Sequence, residues 1–279
     1  MRIQVFVVTY NCDLIHDNIN SLLASDLMQH EHAIHVIDNY HAHDDLQQFC
    51  MHKHVHYMQN TMRPSWSCGH LARNWNQALL HGFKDLTNPA SDVVVCCQDD
   101  NVFLPQWCND LLQCHEQYDF ITMGAGDQFH SYRPRHVQQV GLWDERFCNI
   151  GFQEFDYFIR SCLYNAAGSS INDHLHVSHN ALGPRFICMD RRYIGLARGD
   201  SRHVHSIPYH AISKHVLMSK WGAGAVHWNM QYVQQLQHSL IPNYVYYPYF
   251  EQHVHDLAGK NYVVPPHMCA NGSSSNSLG

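Results

Sequence analysis

Positive charge is the scarcest resource of this 279-residue chain: 17 Lys and Arg face 24 Asp and Glu, a formal net charge of -7. Without a basic footprint, nucleic acid and anionic membrane are excluded as expected partners, so any anionic ligand must be held locally. Residues 9 to 30 contain no Lys or Arg at all, which argues against a basic triphosphate-binding loop after the first strand. Neither GxGxxG nor GxxxxGK[ST] occurs, which argues against a dinucleotide fold or a phosphate loop. CxxC and HExxH are missing too, and no apolar run approaches the ~20 residues of a membrane span. The first strand begins at once, RIQVFVV, leaving no room for a signal peptide. An odd number of cysteines, 11, sits mostly inside apolar runs and points to free thiols in a reducing compartment. The expectation is a soluble, cytoplasmic protein with no transmembrane segment.

What is abundant is histidine, 26 residues, with His41/His43, His54/His56, His174/His176 and His203/His205 at HxH spacing. On a strand each pair faces one way, a zinc or copper arrangement, but histidines spread over the whole chain are explained better by compositional bias.

The informative stretch is Val93–Pro105, VVVCCQDDNVFLP. Val93–Cys97 shows no alternation, so both faces of this strand should be covered, as in a parallel sheet between helical layers. Ligands of such sheets sit outside the carboxyl ends of the strands, here at Gln98, Asp99, Asp100 and Asn101. Oxygen ligands of this kind suit magnesium or manganese. A plain Asp-Asp-Asn turn that ends a strand carries the same letters.

Further strands are predicted at Ile3–Val8, His32–Ile37, Val55–Met58, Phe120–Met123 and Leu175–Ser178. Helices are expected at Asp17–Leu27, Leu71–Phe83, Trp107–Tyr118 and from Glu154 onward. Strand, helix, strand, helix, strand is the doubly wound α/β pattern, and it gathers Thr9-Tyr10-Asn11, Asp38-Asn39 and Asp99-Asp100 along one sheet edge.

The order of these motifs resembles the family-two glycosyltransferases of the A-type fold, especially rhamnosyltransferase-like members, over roughly residues 3 to 185. The resemblance rests on Thr9-Tyr10-Asn11, Asp38-Asn39, Asn76-Gln77-Ala78, the Gln98–Asn101 turn with Pro105 beyond it, GLWDERF at 141–147 and GFQEFDYFIR at 151–160. It implies a Rossmann-like doubly wound mixed sheet with a helical C-terminal extension. The division would be a catalytic domain over 1–185, an extension over 186–271 on the acceptor side, and a disordered tail over 272–279.

The resemblance also implies roles. Thr9, Tyr10 and Asp38 would hold the nucleotide base and ribose, His70 or Arg73 would supply the basic contact, and Asp99 and Asp100 would form the DXD-like site for Mn2+ or Mg2+ on the diphosphate. Gln98 stands where that motif has its first acid. His179 would complete the metal site, and Glu154 stands at the catalytic Asp position as general base. Asp156, about 200° further round the helix, should point away and serve as a capping acid at the helix start or bond a neighbouring loop. The implied activity is metal-dependent, inverting transfer of a hexosyl or deoxyhexosyl group from a nucleotide-diphosphate sugar to a carbohydrate or other hydroxyl acceptor. A nucleotidyltransferase and a non-catalytic sugar-binding protein are the rival expectations.

Overall fold

A computed structural model of the chain describes residues 1–10, 14–39, 44–60, 71–123, 128–147, 151–164, 180–183, 186–189, 195–197, 210–228 and 230–239. The N-terminal half runs β1 (Arg2–Thr9), α1 (Ile15–Leu23), β2 (Glu31–Asp38), α2 (Asp44–His52), β3 (His56–Gln59), α3 (Leu71–Phe83), β4 (Val93–Gln98), β5 (Asn101–Phe103) and α4 (Trp107–Cys114). It continues with β6 (Phe120–Met123), β7 (Phe129–Tyr132), α5 (Pro134–Val140), α6 (Gln153–Tyr164), β8 (Asn180–Gly183), β9 (Phe186–Met189), β10 (Gly195–Ala197), α7 (His210–Trp221) and α8 (Met230–Ser239).

Eight strands form one mixed sheet in the order β3-β2-β1-β4-β7-β6-β9-β8, and β5 pairs with β10 in a small second sheet. The β1, β2, β3 and β4 pairings are parallel, while β7 runs antiparallel to both β4 and β6. The uninterrupted apolar run of β4 is buried on both faces. Val93, Val95 and Cys97 join Ile15, Ile19, Leu46 and Trp107 from α1, α2 and α4. Val94 and Cys96 join Trp75, Leu79, Phe158 and Leu217 from α3, α6 and α7 on the other side. Gly82 lets α3 lie close on β4, because a Cβ there would come within 2.5 Å of the Val94 side chain.

Two helices are shorter than their periodicity predicts. Helix α1 stops at Leu23, and Asp26–Gln29 forms a separate 3-10 turn instead. The cause is local competition from side chains. The Ser25 hydroxyl donates to the Leu22 carbonyl and accepts from the Leu27 N–H, while Asp26 accepts from the Cys108 and Asn109 N–H groups at the start of α4. Helix α4 ends at Cys114 rather than Tyr118; the His115 ring then bonds the Tyr118 carbonyl across the turn. Of the C-terminal extension, β9 adds to the main sheet and α7 and α8 pack into the core with Leu217, Trp221 and Val233. The expected strand at 175–178 and the tail at 272–279 lie outside the described residues.

Candidate active site at the carboxyl edge of the sheet

Strand order makes the crevice. From β1 the chain winds outward through β2 to β3 and then returns to place β4 on the other side of β1, so the topological switch point lies between β1 and β4. Register then sets which residues meet there. Thr9 is the partner of Asp38 in the β1–β2 ladder, and Val8 that of Gln98 in the β1–β4 ladder. The ladder persists one step past the strands: Asn39 N–H donates to the Thr9 carbonyl at 2.9 Å, Asp99 N–H to Val8 at 3.1 Å, and Asn60 N–H to Asp38 at 2.8 Å.

Side chains lock this edge. The Thr9 hydroxyl donates to Asp99 at 2.6 Å, the Tyr57 phenol to Asp38 at 2.8 Å, and the Gln128 amide to Asp100 at 3.0 Å. All three aspartates are buried. Asn18 on α1 donates to the Asn101 carbonyl, and Asn101 in turn to the carbonyls of Gln98 and Gln128, so the Asp99-Asp100 turn is fixed from both sides. The negative charge reaches inward, where Cys97 is pushed well above the thiol range by burial, with Asp100 and Asp99 adding to the effect.

A second polar layer connects α3 to this edge. Asn60 donates to both Asn39 and Asn74. Arg73, in the first turn of α3, is buried and its charge opposes protonation of Glu145. Asn76 donates to the Trp143 carbonyl and to Glu145, both at 2.9 Å, and accepts from the Trp143 N–H at 2.7 Å. Burial raises Glu145 to about 7 in spite of Asn76 and Arg73, and the neighbouring Asp144 pushes the same way.

Beyond Glu145 lies a buried ion network. Lys220 on α7 reaches Asp144 at 3.0 Å and Asp156 at 2.6 Å. Arg160 pairs with Asp156 one turn along α6 at 3.0 Å, Trp221 Nε1 donates to Asp156 at 2.8 Å, and Arg146 pairs with Asp144. Burial alone would raise Asp144, but Lys220 and Arg146 hold it well below the carboxylate range. Glu154 stands in the first turn of α6, half-buried, after a tight approach in which Gly151 has φ 100° and Phe152 φ 69°.

Thr9, Asp38, Asp99 and Asp100 are therefore brought together, with Tyr10 next along the chain from Thr9. Arg73 stands further back, beside Glu145, and Glu154 heads its own helix. His70 and His179 lie outside the described residues, as do three of the four HxH pairs named above. In the fourth pair, His54 sits in a left-handed turn with φ 57° ahead of β3, so no strand presents both rings. Asp156 does not serve as a capping acid; it is the centre of the ion network.

Sequence reasoning missed Tyr57, Gln128, Asn60, Asn74 and Glu145. GLWDERF marked Glu145, whereas nothing in the local pattern marks Gln128.

No family model and no curated protein sequence matches the chain. Solved structures do. The mannosyltransferase PcManGT from Pyrobaculum calidifontis, in complex with GDP-Man and Mn2+, superposes with a TM-score of 0.52 at 11% identity, covering 99% of this chain and 76% of that one. S. aureus TarS 1-349 in complex with UDP-GlcNAc gives 0.50 at 13% identity, covering 85% and 70%. Against a longer S. aureus TarS chain the match covers 80% of this chain and 43% of that one, at 13% identity and a TM-score of 0.46. Together with the strand order, the first two superpositions give the chain the fold of the A-type glycosyltransferases.

Proposed function

We propose that the chain transfers a sugar from a nucleotide-diphosphate donor to an acceptor hydroxyl, with inversion at the anomeric carbon. The observation that carries this reading is the acidic edge itself: Asp38, Asp99 and Asp100 buried at the switch point of the sheet, where such folds bind nucleotides. PcManGT, which shares the fold, was crystallised with GDP-Man and Mn2+.

Adjacent buried carboxylates beside Asn101 are a hard-oxygen donor set that fits Mn2+ or Mg2+. Among the described residues no third His, Cys, Asp or Glu joins them as a ready metal cluster, so His179, the diphosphate and water are the proposed remaining ligands. Bound there, a divalent cation supplies neutralisation of the charge on the departing diphosphate. Thr9, Tyr10 and Asp38 hold the nucleoside, and Arg73 or His70 contacts the diphosphate.

Glu154 takes the proton from the acceptor hydroxyl. Asp156 cannot compete for that role, because Lys220, Arg160 and Trp221 hold its carboxylate inside the protein. A single base, without a nucleophilic carboxylate, is what single displacement requires, by analogy with inverting hydrolases. Among the described residues no helix is long and apolar enough to cross a membrane.

The test is a screen of nucleotide sugars with Mn2+ or Mg2+, read as release of nucleoside diphosphate and transfer to added acceptors. Glu154→Gln should then lower turnover by roughly 10²–10⁴-fold with donor Kd nearly unchanged. Release of pyrophosphate from a nucleoside triphosphate would identify a nucleotidyltransferase instead, and donor binding without turnover a sugar-binding protein.

A further inference from the structure

Glu154 is bracketed by α7, a helix of the extension expected over 186–271 on the acceptor side. On one side of it, the Gly151-Phe152 turn packs on α7: a Cβ on Gly151 would meet the His210 ring at 3.4 Å, and the Phe152 ring lies edge-on to His210 at 6.5 Å. On the other side, two consecutive residues of the same helix, Lys220 and Trp221, clamp the Asp156 carboxylate at 2.6 and 2.8 Å. The backbone between the clamps is costly. Phe152 has φ 69°, a conformation that a bulky residue keeps only where its surroundings over-determine it.

Stability alone does not account for Lys220. Its side chain is 1% exposed and bridges two carboxylates that are fully buried. A buried bridge replaced as a whole, all its members together, is often matched or bettered in stability by apolar side chains of similar volume, so what the charged set adds is a fixed geometry between its partners. Here the partners are Asp144, which precedes the 151–152 turn, and Asp156, two residues beyond Glu154.

We propose that Lys220 is a positioning residue for Glu154: through Asp144 and Asp156 it ties α7 across the first turn of α6, so that the C-terminal segment forms part of the catalytic unit. This rests on Glu154 being the base.

The experiment uses the full chain with Lys220→Met and Lys220→Arg, measuring kcat, donor KM and amide exchange. Lys220→Met should lower kcat roughly 10–100-fold, as displacement of a catalytic group does, with donor KM unchanged within about twofold. Exchange should quicken at residues 152–158 and not in β1 or β4, and Lys220→Arg should recover part of kcat. Should Lys220→Met fail to fold, Trp221→Phe keeps the ring bulk and removes only the Nε1 donor to Asp156, and should show the same pattern more weakly. Parental kcat in Lys220→Met, or a fall in kcat accompanied by exchange loosened throughout with no recovery in Lys220→Arg, overturns the inference while leaving the transferase reading intact. A parent that turns over no nucleotide sugar removes that reading, and the positioning role goes with it.

Discussion

Asp38, Asp99 and Asp100 at the strand ends, and Asp144 and Asp156 beside α6, are equally buried acids held in different ways. At the strand ends a hydroxyl, a phenol and an amide donate to the carboxylates. Such donors fix a carboxylate's direction without cancelling its charge. Beside α6 the donors are Lys220, Arg160 and Arg146, which both orient the carboxylates and neutralise them. The described donors of the first arrangement are uncharged; those of the second are cations that join three segments of chain. Type of described partner, more than burial, separates the two groups of acids in this molecule.

The comparison breaks first, if it is wrong, on stability. Asp156→Asn leaves Lys220 and Arg160 buried against a neutral amide and should cost about 3–5 kcal/mol in urea unfolding. Asp99→Asn weakens the bond from the Thr9 hydroxyl and should cost about 1–2 kcal/mol. Equal costs would mean that the two groups are not held differently.

Glu145 sharpens it with a smaller effect, since it sits between the two regions with Asn76 and Arg73 on one side and Asp144 on the other. Its pKa in the fold is raised from 4.5 to about 7, with burial the main cause. The folded protein therefore holds this proton more tightly than the unfolded chain does. That contribution to stability is complete below about pH 4.5 and is lost as pH rises through about 7. Relative to Glu145→Gln, which cannot titrate, the parent should lose on the order of 1–3 kcal/mol between pH 5 and pH 8. A parent and variant with parallel pH profiles would place Glu145 outside this layer.

The strand-end acids were legible in the sequence because a local pattern carries them. Val93–Cys97 without alternation fits a strand covered on both faces, and the acids that follow such a strand emerge at its carboxyl end. Thr9 and Asp38 follow from the same rule applied to β1 and β2. Helix α3 was readable to its last residue, from apolar spacing with Gly82 near its end. The ion network was not legible, because Lys220 meets Asp144 across 76 positions and a contact of that span leaves no periodic trace. Asp156 looked like a helix-start acid because the first turn is where such acids usually lie. Gln128 and Tyr57 were invisible for a related reason: each is set by the register of a four-residue strand, too short to show a period. The early ends of α1 and α4 depended on Ser25, Asp26 and His115 finding partners that only the folded chain supplies.

The central claim, that the strand-end acids bind a cation together with the donor, is tested most directly by calorimetric titration of the parent and Asp100→Asn with UDP- and GDP-sugars, with and without Mn2+. The account predicts that the parent binds one of these donors at least roughly tenfold more tightly with Mn2+, a difference of about 1.4 kcal/mol. Asp100→Asn, folded and within about 1–2 kcal/mol of parental stability, should lose that Mn2+ dependence. Donor binding by Asp100→Asn that Mn2+ still strengthens as much as in the parent would contradict it.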